Sequence, residues 1–205
     1  MTSQLADWIQ ISLSLFNQSS DRIIWNLFLA FIPLILSFYL FRLSATRNLV
    51  WWTFLLVFVA FLPNAPYILT DSIHIIELSQ NSYPGWAIVL ILIPQYVVFI
   101  TTGFEAYVIS LTKLDNYLVD LVTKRYLILT KIIAHGLCVV GIYLGRFERF
   151  NSWDLVTEPR KVIFTAWSDL CNFDSLFSIA IASLFVWLLT EFVRLVNLKI
   201  KAVKI

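Results

Sequence analysis

Five long apolar segments, separated by shorter polar ones, dominate the hydrophobic pattern of the chain. Segments of about 20 apolar residues cross a bilayer core of about 30 Å as helices, because backbone groups in lipid must bond within their own segment. The pattern therefore predicts an all-α membrane protein, a five-transmembrane-helix bundle with short interfacial helices on its outer face. We expect a single polytopic domain over residues 1–205. The predicted spans are 23–41, 49–66, 86–111, 126–145 and 176–196.

The second span is interrupted near its end by Pro63-Asn64-Ala65-Pro66-Tyr67. Two prolines three residues apart remove backbone donors and disfavour helix at the residues that precede them. We therefore expect this span to end in a broken or extended segment. Non-helical backbone at that depth must be buried in protein or line a wet cavity.

Short helices are also predicted outside the five spans. Residues 5–16 read as a weak interfacial helix, with Ser20 or Asp21 capping the first span after it. The sequence Thr157-Glu158-Pro159 has the features of a helix start, with a Thr cap and Pro in the first turn. The helix that follows is expected to lie along the outer interface and to roof the bundle. Its apolar residues at helical spacing are Val162, Ile163, Ala166, Trp167 and Leu170.

Composition narrows the class of protein. Hydrophobic residues make up 60% of the 205 and charged residues only 14%, whereas soluble domains average about 25% charged residues. A soluble globule, a disordered chain and a disulfide-dense secreted fold are therefore excluded. The formal net charge of +2 excludes a strongly basic nucleic-acid binder. The lipid bilayer is the one partner that composition predicts, and no nucleic acid is expected.

Charge is distributed unevenly between the two ends of the predicted bundle. One end carries nine basic and two acidic residues, among them Asp120 and Lys204, and the other carries five basic and nine acidic residues. The positive-inside rule places the basic end in the cytoplasm. We therefore expect the N-terminus outside, the C-terminus in the cytoplasm, and both long loops, 63–85 and 146–174, on the outer face.

The first outer loop contains Asp71 and His74, which are three residues apart and share a face on a helix. Such a pair can act as an acid–base couple or hold a metal, since histidine titrates near neutrality. Alternatively, Thr70 or Asp71 caps a short interfacial helix. The two interpretations are compatible.

The second outer loop contains Arg146 and Arg149, again three residues apart. Guanidinium groups bind phosphate or carboxylate in a bidentate manner, which favours a small anionic site at the membrane surface. Alternatively, both arginines contact lipid headgroups nonspecifically or pair with acidic residues of the loops, such as Asp154. Trp153 is expected to anchor the loop at the interface.

Three polar side chains lie inside the predicted spans: Glu105, Lys131 and His135. Glu105 and Lys131 are estimated to lie at similar depth, and an unpaired charge in lipid is costly, so we expect an ion pair between them. That pair belongs either to a proton or ion route or to a structural lock between helices. His135 has no second mid-span histidine at its depth, which argues against a bis-histidine heme, and the sequence identifies no cofactor.

Three segments in and next to the two outer loops resemble sequence motifs of a known protein family. They are the run from Phe61 to Asp71, the run from Gly141 to Phe147, and Asn151-Ser152-Trp153-Asp154. They resemble a family of bacterial integral membrane proteins catalogued as domain of unknown function 1361, or DUF1361. The resemblance implies a multi-pass protein of the bacterial plasma membrane or an internal membrane. Because the family has no established activity, the resemblance supplies no catalytic residues.

Together these features predict a polar pocket where the two outer loops meet. The leading hypothesis is a binding or transport module for a small anionic or amphiphilic ligand, such as a lipid headgroup. The alternatives are an intramembrane acid–base or metal-dependent enzyme that uses Asp71 and His74, and a structural or assembly subunit with a membrane-complex partner. Asp71 and Arg146 facing away from each other, far beyond the reach of a water bridge, would refute the pocket. Its predicted residues are Asn64, Tyr67, Asp71, His74, Arg146, Arg149, Asn151, Trp153 and Asp154.

Overall fold

The computed structural model of the protein describes residues 2–44, 46–80, 83–119 and 121–203. Asp120 and Lys204, which contribute to the charge distribution above, lie outside these ranges. The described chain is helical almost throughout and contains no strand, which confirms the predicted all-α membrane fold. Five helical segments are long and apolar enough to cross a membrane: Gln4–Leu43, Leu49–Ser79, Gly85–Val119, Lys124–Arg146 and Phe173–Ile200.

The first span is one continuous helix, α1 (Thr2–Phe38), followed by a π-helical turn, Tyr39–Leu43. The separate interfacial helix predicted at 5–16, and its cap at Ser20 or Asp21, are therefore wrong. The hydroxyl of Ser20 donates to the carbonyl of Phe16 at 2.6 Å inside the helix. A serine inside a helix can donate its hydroxyl to the carbonyl four residues earlier instead of capping a new helix. The polar residues around Ser20 therefore do not interrupt α1.

The second span is broken where the prolines predicted it. Helix α2 (Leu49–Phe61) ends just before Pro63 and is followed by α3 (Asn64–Tyr67), a 3₁₀ turn (Ile68–Ser72) and α4 (Ile73–Ser79). The break is a chain of short helical turns, so the extended conformation that we also considered is wrong. Pro63 itself has helical dihedrals and its carbonyl accepts from the N–H of Tyr67 at 3.0 Å. A proline at the start of a helix loses no intrahelical bond.

The helices of the remaining spans are longer than the apolar segments that predicted them. The third consists of α5 (Gly85–Ala87), a π-helical turn (Ile88–Leu92) and α6 (Ile93–Val119). The fourth is α7 (Lys124–Arg146) and the fifth is α10 (Phe173–Val203).

Two short helices connect the fourth and fifth spans: α8 (Asp154–Thr157) and α9 (Pro159–Cys171). The predicted helix with Pro159 in its first turn is thus confirmed. The predicted Thr157 cap is wrong, because Thr157 ends α8 and its hydroxyl donates to the carbonyl of Trp153 at 3.3 Å.

The break in the second span packs directly onto the fourth span. Helix α1 packs mainly against α6, and α3 contacts α1, α6 and α7. At the contact with α7, a Cβ placed on Gly141 would lie 2.7 Å from side-chain carbons of Pro63. A Cβ on Gly145 would lie 3.1 Å from the ring of Tyr67. Small residues let helices approach this closely in membranes, so the two glycines allow α3 to reach α7.

This packing yields a stability prediction for two glycines of one helix. Gly141→Ala should destabilise the protein by about 1–3 kcal/mol, because the added methyl overlaps the rigid ring of Pro63. Gly136→Ala is the matched control, since a Cβ there meets nothing within 4 Å. That change should be neutral or stabilise by up to about 1 kcal/mol through helix propensity. Reversible unfolding in detergent measures both, and equal effects of the two changes would contradict the packing.

Candidate functional site

A large cavity opens at the end of the bundle where α7 terminates, here called the Arg146 end. Its volume is about 1060 Å³, and it lies between α1, α2, the broken end of the second span, α7, the loop after α7, and α9. Asp71 and Arg146 both line it. Eight of the nine predicted residues line this cavity: Asn64, Tyr67, Asp71, His74, Arg146, Arg149, Asn151 and Trp153.

The two loops that supply these residues are in direct contact. The side-chain amide of Asn64 donates to the hydroxyl of Ser152 at 2.8 Å and to the carbonyl of Phe61 at 3.1 Å. Asp154, the ninth predicted residue, is not part of the cavity wall. Its carboxylate accepts from the backbone N–H of Asn151 at 2.6 Å, so it shapes the loop that carries its neighbours.

Asp71 is buried in the wall of the cavity, with 2% of its surface exposed. Its Oδ2 accepts from the amide Nδ2 of Asn26 on α1 at 2.5 Å. The prediction that Thr70 or Asp71 caps a helix is wrong: the Thr70 hydroxyl donates back to the carbonyl of Tyr67, and α4 has no side-chain cap. Because α4 continues from the 3₁₀ turn without an interruption, no free helix start is left for Asp71 to cap.

His74 lies between two carboxylates. Its Nδ1 is 2.5 Å from Oε2 of Glu77, and its Nε2 is 3.8 Å from Oδ1 of Asp71. The second distance is too long for a direct hydrogen bond, although it confirms that Asp71 and His74 share one face. Within the described ranges, no group of three or more His, Cys, Asp or Glu side chains is arranged to hold a metal ion.

Three arginines line the cavity: Arg22, Arg146 and Arg149. Arg146 is the last residue of α7, and Arg149 lies in the following loop with a positive φ of 58°. Among the residues that the structure describes, none of the three forms an ion pair with an acidic side chain. The predicted alternative, in which Arg146 and Arg149 pair with acidic residues of the loops, is thus not observed there.

Residues of α1 complete the site, and sequence reasoning missed them. Arg22, Trp25 and Asn26 all line the cavity, and the rings of Trp25 and Trp153 are 6.1 Å apart. Arg22 and Trp25 are three residues apart, and Asn26 is one turn from Arg22, so they share a face of α1. The signal available in the sequence was this spacing at the start of the first apolar segment, but nothing in it showed which way that face points.

The cavity wall changes from polar to apolar along its depth. Its arginines and carboxylates are Arg22, Arg146 and Arg149 with Asp71 and Glu77, so arginines outnumber carboxylates three to two. Helix α9 contributes Val162, Ile163 and Ala166, which agrees with its predicted role as a roof. The apolar residues from the first, second and fourth spans include Trp25, Leu29, Trp52, Leu55, Leu56, Val59, Ala60, Leu137, Val140 and Leu144.

The predicted ion pair between Glu105 and Lys131 is wrong. Nζ of Lys131 is 3.2 Å from Oδ2 of Asp115, and Oε1 of Glu105 accepts from the amide of Asn197 at 2.6 Å. The depth estimate was taken from the ends of the apolar segments. Helix α6 continues past its apolar segment to Val119, which brings a second carboxylate, that of Asp115, to Lys131.

The fifth span joins the same charge cluster. Arg194 contacts Asp115 at 2.8 Å and Glu191 at 3.2 Å, and only 14% of its side chain is exposed. Arg194 is therefore part of a largely buried cluster between helices, and its contact with Glu191 is not an isolated surface pair. Nδ1 of His135, the third predicted intramembrane residue, is 2.9 Å from the hydroxyl of Tyr107 on α6. These contacts tie α6, α7 and α10 together away from the cavity.

The fold and the site define an all-α, multi-pass membrane protein with a mixed polar and apolar cavity at one end of its helix bundle. The chain belongs to the family described as "Protein of unknown function (DUF1361)", whose model matches residues 25–189. The matched region includes both loops that form the cavity. No curated protein and no solved structure matches the chain.

The charge cluster yields a second stability prediction. Asp115→Ala leaves the guanidinium of Arg194 and the ammonium of Lys131 without their shared carboxylate, so it should destabilise the protein by about 3 kcal/mol. Glu191→Ala is the control, because Arg194 then keeps Asp115 and the loss should stay below about 1 kcal/mol. Unfolding in detergent measures both. A loss for Asp115→Ala no larger than that for Glu191→Ala would refute the cluster's structural role.

Proposed function

We propose that the protein binds a small anionic or amphiphilic ligand in the cavity at the Arg146 end, as a binding or transport module. One observation carries this proposal: Arg22, Arg146 and Arg149 surround one cavity without pairing to described acidic side chains. A guanidinium in this state keeps its donors available for an anion. Phosphate and carboxylate groups match its planar geometry with two parallel hydrogen bonds.

The two carboxylates of the cavity have other partners and form no ion pair with these arginines. Asp71 accepts a hydrogen bond from Asn26, and Glu77 is engaged by His74. An anionic ligand would therefore not have to displace a carboxylate from these arginines. Trp25 and Trp153 contribute rings to the same cavity, and Trp is typical of the membrane–water interface, where a ligand is partly wet and partly apolar.

The proposal includes an orientation. We place the Arg146 end outside and the C-terminus in the cytoplasm, in a plasma membrane or an internal membrane. The positive-inside rule supports this orientation, because the opposite end carries the larger excess of Lys and Arg. The cavity would then face the periplasm, a lumen or the external medium.

A second candidate function is an acid–base enzyme acting on the bound ligand. The observation that favours it is the row of Asp71, His74 and Glu77 along one side of the cavity. Glu77 contacts Nδ1 and thereby orients the ring of His74, which leaves Nε2 on the side of Asp71. A histidine oriented by a carboxylate in this way can transfer a proton to or from a ligand. Chemical conversion of a bound anion by the wild type but not by His74→Gln would select this function.

The binding proposal makes a prediction for the arginines. Arg146→Gln should weaken binding of dodecyl phosphate at least tenfold, because a charge-assisted hydrogen bond contributes about 1.5–3 kcal/mol. Arg149→Gln should act in the same direction. Native mass spectrometry of the purified protein in a neutral detergent gives the fraction that carries one dodecyl phosphate at each concentration.

Arg160→Gln is the matched control, since Arg160 is an exposed arginine of α9 that does not line the cavity. It should bind dodecyl phosphate as the wild type does. Equal affinity for all three variants and the wild type, or no saturable binding by the wild type, would refute the proposed function.

A further inference from the structure

We infer that the ligand is a membrane lipid with an anionic phosphate headgroup, and that it enters sideways from the adjoining leaflet through a cleft between α2 and α7. This inference rests on the proposed function and adds the ligand class and the route. The headgroup lies among the arginines, and an acyl chain lies in the cleft. Four features of the structure support it: depth, exposure, helix packing and the roof.

The depth of the cavity matches one leaflet. Along the second span its wall extends from Pro63 back to Trp52, and along α7 from Arg146 back to Leu137. At 1.5 Å of rise per residue, these stretches span roughly 15 Å. That is about half of a bilayer core of about 30 Å. A small soluble anion would leave an apolar extension of this length unfilled. An acyl chain of a membrane lipid has the length of one leaflet and would fill it.

Apolar side chains in the walls of this extension are also widely accessible. Leu56 on α2 is 72% exposed and Leu137 on α7 is 52% exposed, although both line the cavity. Trp52 and Val59 on α2 combine exposure and cavity lining in the same way. In a membrane-spanning segment, exposed apolar side chains contact lipid. Accessible apolar side chains on both helices are what an opening of the cavity towards the bilayer between α2 and α7 would produce.

Helix packing explains why the cleft exists. Helix α2 packs chiefly on α1, whereas the second span reaches α7 through α3. The contact between Pro63 and Gly141 closes the top of the space between α2 and α7. Beyond that contact the two helices are separated by the cavity. The break in the second span thus produces both the polar end and the cleft.

The roof favours entry from lipid rather than from water. Helix α9 turns Val162, Ile163 and Ala166 towards the cavity, while Phe164 and Trp167 on other sides of the helix are strongly exposed. A helix that combines apolar faces with charged residues such as Arg160 and Lys161 suits the membrane interface. It covers the apolar part of the cavity on the water side, and the arginines lie at the end where a headgroup would remain near water.

The experiment compares two probes that share a phosphate. One is phosphatidylglycerol and the other is soluble glycerol 3-phosphate, each titrated into the full-length protein in neutral detergent and counted by native mass spectrometry. We expect the wild type to bind phosphatidylglycerol at least tenfold more tightly. Leu137→Trp, which fills the cleft, should weaken phosphatidylglycerol binding at least tenfold and leave glycerol 3-phosphate binding within twofold. Val59→Trp, on the facing helix, is a second variant of the same kind.

The control is Leu188→Trp on α10, because Leu188 is exposed to the same degree, 53%, and does not line the cavity. It should bind both probes as the wild type does. Equal affinity of the wild type for the two probes, with Leu137→Trp and Val59→Trp harmless, would overturn the lipid and its route while leaving an anion site. Binding of neither probe by the wild type would overturn the proposed function itself.

Discussion

The contact between Pro63 and Gly141 is the constraint on which the site depends. Pro63 ends the regular part of the second span, and Gly141 offers no side chain that would keep the following turns away from α7. The short helices after Pro63 therefore lie against α7, with Asn64 bonded to Ser152 in the loop beyond it. One close approach thus joins two segments that are far apart in sequence and leaves a cavity beside the straight part of α2.

The bundle uses charge differently at its two ends. Away from the cavity, Asp115 contacts both Lys131 and Arg194, so acid and base stabilise each other between three helices. At the cavity, Arg146 and Arg149 have no such partner among the described acids. Paired charges hold helices together, whereas arginines left unpaired beside a cavity remain available to an anion. This contrast is the physical basis for placing ligand binding at the Arg146 end.

Much of this arrangement follows from the sequence. The apolar segments predicted the five spans, and the two prolines predicted the break in the second span. The order of the spans predicted that both polar loops lie on one side of the membrane. Eight of the nine residues predicted from these loops line one cavity. What escaped prediction depended on how helices rotate and where they end. Arg22 and Asn26 face the cavity only because of how α1 packs. Lys131 pairs with Asp115 and not with the predicted Glu105, because α6 continues beyond its apolar segment.

Cross-linking the two loops tests their contact most directly. A protein with Cys138→Ala and Cys171→Ala has no native thiol, and Asn64→Cys with Ser152→Cys then replaces a pair whose side chains touch at 2.8 Å. Mild oxidation in the membrane should join these two cysteines rapidly and nearly completely. A pair of Asn64→Cys with Glu191→Cys should stay reduced, because Glu191 belongs to the charge cluster of α6, α7 and α10 away from the cavity. If the Asn64→Cys and Ser152→Cys thiols both react with maleimide yet form no disulfide, the two loops do not meet and the cavity is contradicted.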